Sequence, residues 1–304
     1  MQQAAFWPEI PRRRFLASAL GTAALTLSPK LHAAPASANN KICAFVKFVQ
    51  SLSYDELGEK IAAMGFDGIE ATVRDGGQIE PARAVDELPK LVGALKKHGI
   101  EITIMASSIN RADQPYTRKI LRAAALLGIK RYRLAYYRYH QNKSVTKQLA
   151  ELKPIVKDLA ALNHDLGITG VYQNHAGPHS VGSTIWDLHE LFEGIPTEDM
   201  AIAFDIRHAT AEAGLSWPLL FNVASPQLGA VYVKDFVWRD RRPENVPLGK
   251  GRVDKDFFKL VKASGFTGPM SLHVEYLGQG TVAENLAAMQ TDLATLRSWL
   301  AEAS

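Results

Sequence analysis

The sequence predicts an α/β chain folded as one (β/α)₈ barrel of the TIM barrel class, and three observations point there. Eight short β-rich runs alternate with longer helical segments, the pattern of parallel strands joined by helical crossovers. Glycine closes several of those helices just before the next strand, at Gly65, Gly99, Gly128, Gly167 and Gly265, where a left-handed residue ends a helix. No glycine-rich phosphate turn follows the first strand, and eight units fit a closed barrel better than an open doubly wound sheet.

Taken in order, the first strand is the apolar run 42–50, interrupted only by Lys47, and helix 54–64 follows it and stops at Gly65. Strand 68–74 carries Glu70, Thr72 and Arg74 on one side by alternation. Helix 85–97 then ends before Gly99, and strand 101–107, helix 116–127 and Gly128 complete the third unit. The fourth unit pairs strand 131–139, which ends Tyr136-Tyr137-Arg138-Tyr139, with the long helix 145–166 and Gly167. Strand 169–175 ends Gln173-Asn174-His175 ahead of helix 184–192, and strand 201–208 ends Asp205-Ile206-Arg207-His208 ahead of helix 217–223. Strand 229–236 contains Val233-Lys234-Asp235, with helix 255–263 and Gly265 after it. Strand 269–276 ends His273-Val274-Glu275-Tyr276, and helix 283–300 closes the chain.

A chain of 304 residues, 47% hydrophobic and 22% charged, buries a large core and has neither disordered nor repetitive composition. Residues 1–38 read as a signal peptide, with Arg12-Arg13-Arg14-Phe15-Leu16, an apolar run to Ser28 and small residues at Ala36-Ser37-Ala38. That order resembles a twin-arginine leader, so residues 39–304 are expected to work in the periplasm or outside the cell without a membrane anchor. Glu9, Arg12, Arg13, Arg14 and Lys30 carry +3 of the formal +4, which leaves +1 on the mature chain and argues against nucleic acid as a partner. Cys43 is the sole cysteine, excludes an intramolecular disulfide and is expected in the core.

In this fold, chemistry sits at the carboxyl ends of the strands, where many ionisable side chains here converge. Burying so many charges at one end costs several kcal/mol unless they are paired or bound to a metal, so a functional site is expected. Taken singly, Glu70 and Arg74 also suit a structural ion pair, His175 and His208 a satisfied hydrogen-bond role, and Lys47 a stem that reaches solvent. Asp205, His208, Glu275 and the amide oxygen of Gln173 are the donors expected for a divalent cation such as Mn²⁺, Co²⁺ or Mg²⁺.

The stretches Gly65-Phe66-Asp67-Gly68-Ile69-Glu70, Gln173-Asn174-His175, Phe204 to Ala209, Val233-Lys234-Asp235, Pro247 to Gly251 and His273-Val274-Glu275 carry a family resemblance. In order and spacing they resemble the xylose-isomerase-like barrel superfamily, which includes sugar phosphate isomerases and epimerases, inosose dehydratases and endonuclease IV. The resemblance implies a divalent metal held by Glu, Asp, His and Glu from strands five to eight, and acidic ligands that move protons next to a carbonyl. Asp205 and Glu275 stand at matching positions, whereas Gln173 and Tyr232 stand where the family has Glu and His.

Those two departures favour one-base chemistry on a small carbohydrate. Glu275 is the expected base, Lys234 the group that polarises the carbonyl or, if burial lowers its pKa, an acid, and His175 a proton relay. Glu70, Arg74, Lys47, Arg138 and His208 are expected to hold the substrate. Three readings follow: a sugar isomerase or epimerase, a keto-sugar lyase or hydratase using the same enolate, and a non-catalytic exported sugar-binding barrel, with oligomerisation open. The endonuclease reading lacks the ligands for several zinc ions.

Overall fold

The computed structural model describes residues 40–303, so the leader expected at residues 1–38 lies outside the described residues. Seven parallel strands run in sequence around a barrel: β1 (Ile42–Phe45), β2 (Gly68–Val73), β3 (Glu101–Ser107), β4 (Arg131–Arg133), β5 (Thr169–Gln173), β6 (Met200–Asp205) and β7 (Leu228–Val233). An antiparallel hairpin of β8 (Asp235–Arg239) and β9 (Arg242–Val246) comes next, and β10 (Met270–Leu272) then pairs with both β7 and β1 to close the barrel. The expected eight-stranded closed barrel is therefore the fold.

The helices are α1 (Tyr54–Met64), α2 (Ala84–Lys97), α3 (Thr117–Leu126), α4 (Val145–Leu166), α5 (Trp186–Leu191), α6 (Ile206–Ala213), α7 (Trp217–Ala224), α8 (Phe257–Ala263) and α9 (Val282–Glu302). Each presents an apolar stripe to the strands; Leu57 and Ile61 of α1 and Leu88, Leu91 and Leu95 of α2 are fully buried, at roughly 2 kcal/mol apiece. The five helix-ending glycines all have positive φ, as their positions implied. Inside the barrel, Cys43, Ile104, Val171, Ala201, Ala203 and Ala230 pack around Tyr232. Burial pushes the Cys43 thiol pKa up, which makes it an inert core residue as expected. Among the described residues no helix is long and apolar enough to cross a membrane.

Most strands end earlier than expected: the first stops at Phe45 rather than at 50, the fifth at Gln173 rather than at 175 and the last at Leu272 rather than at 276, and three further ends shape the barrel mouth. The fourth strand stops at Arg133 rather than at 139, because residues 134–139 leave the ladder. The sixth stops at Asp205, whose side chain accepts the backbone N–H of His208 at 3.1 Å and starts α6 as its N-cap, so Arg207 and His208 lie on a helix. The seventh stops at Val233, and the chain departs into the hairpin, whose two-residue turn has Asp240 in the left-handed region at φ 53°.

Asp235 anchors that departure. Its buried carboxylate accepts the backbone N–H groups of Phe236 (2.8 Å), Gly249 (3.0 Å), Gly251 (2.9 Å) and Val253 (3.0 Å). Gly251 is required there, since a Cβ would lie 2.2 Å from Asp235 Oδ1 and 2.3 Å from the Phe236 carbonyl oxygen. Asp235→Ala leaves several donors without an acceptor and is expected to lower the unfolding free energy by about 3 kcal/mol, measured by chemical denaturation.

Candidate active site

The carboxyl ends of β2, β4, β5, β6, β7 and β10 bring two joined polar clusters together. The first surrounds Glu70, which is fully buried. Its Oε1 accepts from Arg133 Nε at 2.7 Å and Tyr232 OH at 3.2 Å, while Oε2 accepts from Ser271 Oγ at 2.6 Å and faces His273 Nε2 at 2.9 Å. Burial alone would raise the Glu70 pKa, but Arg133 and then His273 outweigh it and hold the carboxyl down at about 2. Phe45 covers this cluster, with its ring stacked 4.4 Å from that of His273 and 5.3 Å from the Arg133 guanidinium.

Arg133 links the clusters. Its NH1 donates to the Gln173 side-chain oxygen at 3.1 Å, and Tyr136 OH donates to the same oxygen at 2.5 Å. With that oxygen doubly engaged, Gln173 turns its amide N–H toward Asp205 Oδ2 at 2.6 Å. Asn174 fixes the Asp205 backbone from both sides, accepting its N–H at 2.6 Å and donating to its carbonyl at 3.1 Å. Lys234 Nζ then stands between two carboxylates, 3.3 Å from Asp205 Oδ2 and 2.8 Å from Glu275 Oε2. Burial works against the Lys234 charge, yet Asp205 and Glu275 more than offset it and raise its pKa. Burial also opposes ionisation of Glu275, and Lys234 followed by His273 overcomes it, holding the carboxyl well below the usual range. The two carboxylates therefore favour the ammonium form of Lys234, which suits an electrostatic role better than that of an acid with a lowered pKa.

Two histidines border this pair. Arg207 NH1 lies 3.0 Å from His208 Nδ1, and a guanidinium only donates, so Nδ1 is an acceptor and the imidazole proton sits on Nε2. Burial, followed by the charge of Lys234, holds the His208 pKa well below its ordinary value. His208 Nε2 is buried without a hydrogen-bond partner, 3.6 Å from Asp205 Oδ2. His175 Nδ1 lies 2.8 Å from the Ala176 carbonyl, which leaves its Nε2 as an acceptor, and its ring lies 4.0 Å from that of His208. Burial and then Lys234 also lower the pKa of His175.

These groups form one wall of a cleft of about 660 Å³ that also contains Lys47, Phe48, Arg207, Trp238 and Arg241. Phe48 and Trp238 offer apolar surfaces, and among the charged groups of the wall Lys47, Arg207, Lys234 and Arg241 outnumber the carboxylates of Glu212 and Glu275. Arg207 ties α6 to the hairpin over the cleft, donating to Asn245 Oδ1 at 3.0 Å and to the Pro243 carbonyl at 3.1 Å.

Of the residues expected from sequence, Lys47, His175, His208, Lys234 and Glu275 line the cleft, with Gln173 and Asp205 buried behind them. Glu70 is enclosed in its own cluster, and Arg74 lies over Phe45 at 5.7 Å; neither borders the cleft. Arg138 is exposed on a segment bridged to Ser180 and is also outside it. The arginine that joins the two clusters is Arg133, hidden by an expected strand six residues longer than the observed one. Arg207 and His273 also went unassigned, although both sat in strand-end motifs.

The four donors expected for a divalent cation converge without fitting one. Gln173 presents N–H rather than oxygen to Asp205, and the Lys234 ammonium stands between Asp205 and Glu275. Among the described residues no three His, Cys, Asp or Glu side chains are arranged to hold a metal ion.

A family model described as xylose isomerase-like TIM barrel matches residues 59–299. No curated protein matches the sequence. Among solved structures, the 3-keto-D-glucoside 4-epimerase from E. coli is similar, with a TM-score of 0.67 at 17% identity, covering 86% of this chain and 100% of that one. The D-psicose 3-epimerase from Clostridium cellulolyticum is similar at a TM-score of 0.63 and 13% identity, covering 86% of this chain and 99% of that one. A D-allulose 3-epimerase from Methylomonas sp. has a TM-score of 0.63 at 17% identity, covering 86% of this chain and 98% of that one. At these identities the likeness is one of fold.

Proposed function

Because the chain belongs to the xylose isomerase-like TIM barrel family, we propose that it is a sugar isomerase or epimerase that abstracts a proton next to the carbonyl of a sugar or keto-sugar. The Lys234–Glu275 pair carries this reading: an ammonium and a carboxylate 2.8 Å apart at the strand ends, both bordering the cleft. The epimerase neighbours, each acting on a keto-sugar by name, support the substrate class.

In this reading the substrate ring lies against Phe48 and Trp238, with its carbonyl oxygen at Lys234 Nζ. Glu275 takes the proton from the adjacent carbon. The C–H electron pair becomes the double bond of an enolate, whose negative oxygen Lys234 stabilises. In the resting enzyme the ion pair weakens Glu275 as a base, and the carbonyl frees it by drawing the ammonium's hydrogen bond toward itself. Return of the proton by Glu275 to the former carbonyl carbon gives the isomer, whereas the epimer forms when a solvent proton reaches the adjacent carbon from the opposite face and Glu275 releases its own proton to solvent. His175, with an acceptor Nε2, and His208, with an Nε2–H, relay protons among the oxygens. This route takes no step through a metal. Export by the twin-arginine leader belongs to the same proposal, and N-terminal sequencing of the secreted protein checks it.

The test is a panel of ketohexoses and 3-keto-glucosides followed by NMR with the purified protein. Appearance of an isomer or epimer of the input sugar is the expected result. An unsaturated product that has lost water means that the enolate expels a hydroxyl and the enzyme is a lyase. Binding of a panel sugar without any conversion means a sugar-binding barrel.

A further inference from the structure

We propose that Lys234 is the built-in cation of this site, occupying the position that a divalent ion would need, and that it masks a latent metal site the chain otherwise still possesses. The inference rests on the preceding reading for what the cation does in catalysis, but not for where the cation sits.

Lys234 Nζ lies 3.3 Å from Asp205 Oδ2 and 2.8 Å from Glu275 Oε2, which places one positive charge between two carboxylates. Its neighbours are arranged for that single charge. A dication would neutralise both carboxylates, whereas one ammonium leaves a negative charge over. The Gln173 amide N–H (2.6 Å) and the His208 backbone N–H (3.1 Å) serve that remainder at Asp205. Gln173 cannot offer its oxygen to a cation without giving up the bonds it accepts from Arg133 and Tyr136. The side chain of Lys234 is 6% exposed, so it reaches this position through the protein rather than from solvent.

One atom in the cluster has no partner in this arrangement. His208 Nε2 is buried and unbonded, 3.6 Å from Asp205 Oδ2. Because Arg207 donates to Nδ1, that nitrogen holds the ring proton. Remove the ammonium, and Asp205 Oδ2 and Glu275 Oε2 both face the vacated position, with His208 Nε2 3.6 Å from Asp205 Oδ2 and able to complete the set once Arg207 releases Nδ1 and the ring proton moves there. That donor set suits Co²⁺ or Mn²⁺.

The test is a titration with Co²⁺, read by its visible absorption and by calorimetry without any sugar present. The wild-type protein is expected to bind no Co²⁺ at this position. Lys234→Ala is expected to bind one equivalent at least about 100-fold more tightly than wild type, because the positive charge that fills the position has gone. Asp205→Asn in the Lys234→Ala background is expected to abolish that binding. If Lys234→Ala does not fold, Lys234→Met fills the stem's volume and is titrated in the same way. Tight stoichiometric Co²⁺ binding by wild type that Asp205→Asn removes overturns the proposal, because the lysine would then stand aside for a metal. Failure of a folded Lys234 variant to bind Co²⁺ overturns the latent site. A protein inert toward every keto-sugar defeats the proposed function instead, and it leaves the cobalt result unaffected.

Discussion

Glu275→Gln is expected to lower kcat on the keto-sugar substrate by about 10³-fold, within the range of a lost general base, with little change in substrate affinity. The amide keeps the shape of the carboxylate and still accepts from Lys234, so the cleft is preserved while the proton acceptor is gone. The pH dependence follows from the same pair. The Glu275 pKa is lowered in the folded enzyme, so its carboxylate stays ionised as the pH falls below the ordinary range near 4.5. The Lys234 pKa is raised from 10.5, so its ammonium survives on the alkaline side. The kcat/KM profile is therefore expected to be flat between about pH 5 and 9, wherever the protein remains folded. An acid limb somewhat below pH 6.5, where burial and Lys234 hold His175, would instead make a histidine the base, with His175 the first to replace.

Glu70→Ala is expected to destabilise the fold by about 3–5 kcal/mol, enough to unfold a marginal domain, because it leaves Arg133 charged and buried with its principal partner removed. The same magnitude follows from titration. The folded pKa near 2 lies below the ordinary 4.5, a difference worth about 3 kcal/mol of stability at neutral pH. Since the folded value is the depressed one, that contribution is complete above about pH 4.5 and is lost as the pH falls toward 2. Chemical denaturation at pH 7 and pH 3 measures it: wild type should lose stability between the two, and Glu70→Gln should lose less. The effect belongs to stability rather than to substrate contact, since Glu70 lies outside the cleft.

The barrel was legible because its signals are local. Alternation of strand and helix and a glycine after a helix each occupy a few residues, and the five helix-ending glycines adopt the positive φ that their positions implied. Strand ends were less legible, because β-favouring residues continue past the last ladder partner. Tyr136, Tyr137 and Tyr139 made the fourth strand look long, which hid Arg133 at its true end and promoted the exposed Arg138. Ile206 similarly disguised the helix that Asp205 caps.

Within the site, Asp205, His208, Lys234 and Glu275 were found together because strand-end position and spacing place them at one rim. Their division of labour was not readable. The Lys234 ammonium standing between two carboxylates, and Glu70 collecting partners from β4, β7 and β10, depend on contacts between residues 41 to 203 positions apart. The hairpin was missed because β8 begins two residues after β7 ends, so the two read as one strand.

The most direct measurement of the account is solvent exchange in D₂O, comparing wild type with Glu275→Gln on a 3-keto-glucoside or ketohexose that both bind. The account predicts deuterium at the carbon next to the carbonyl with wild type and almost none with Glu275→Gln. Equal exchange by the two proteins, or none by either while both bind the sugar, would contradict it.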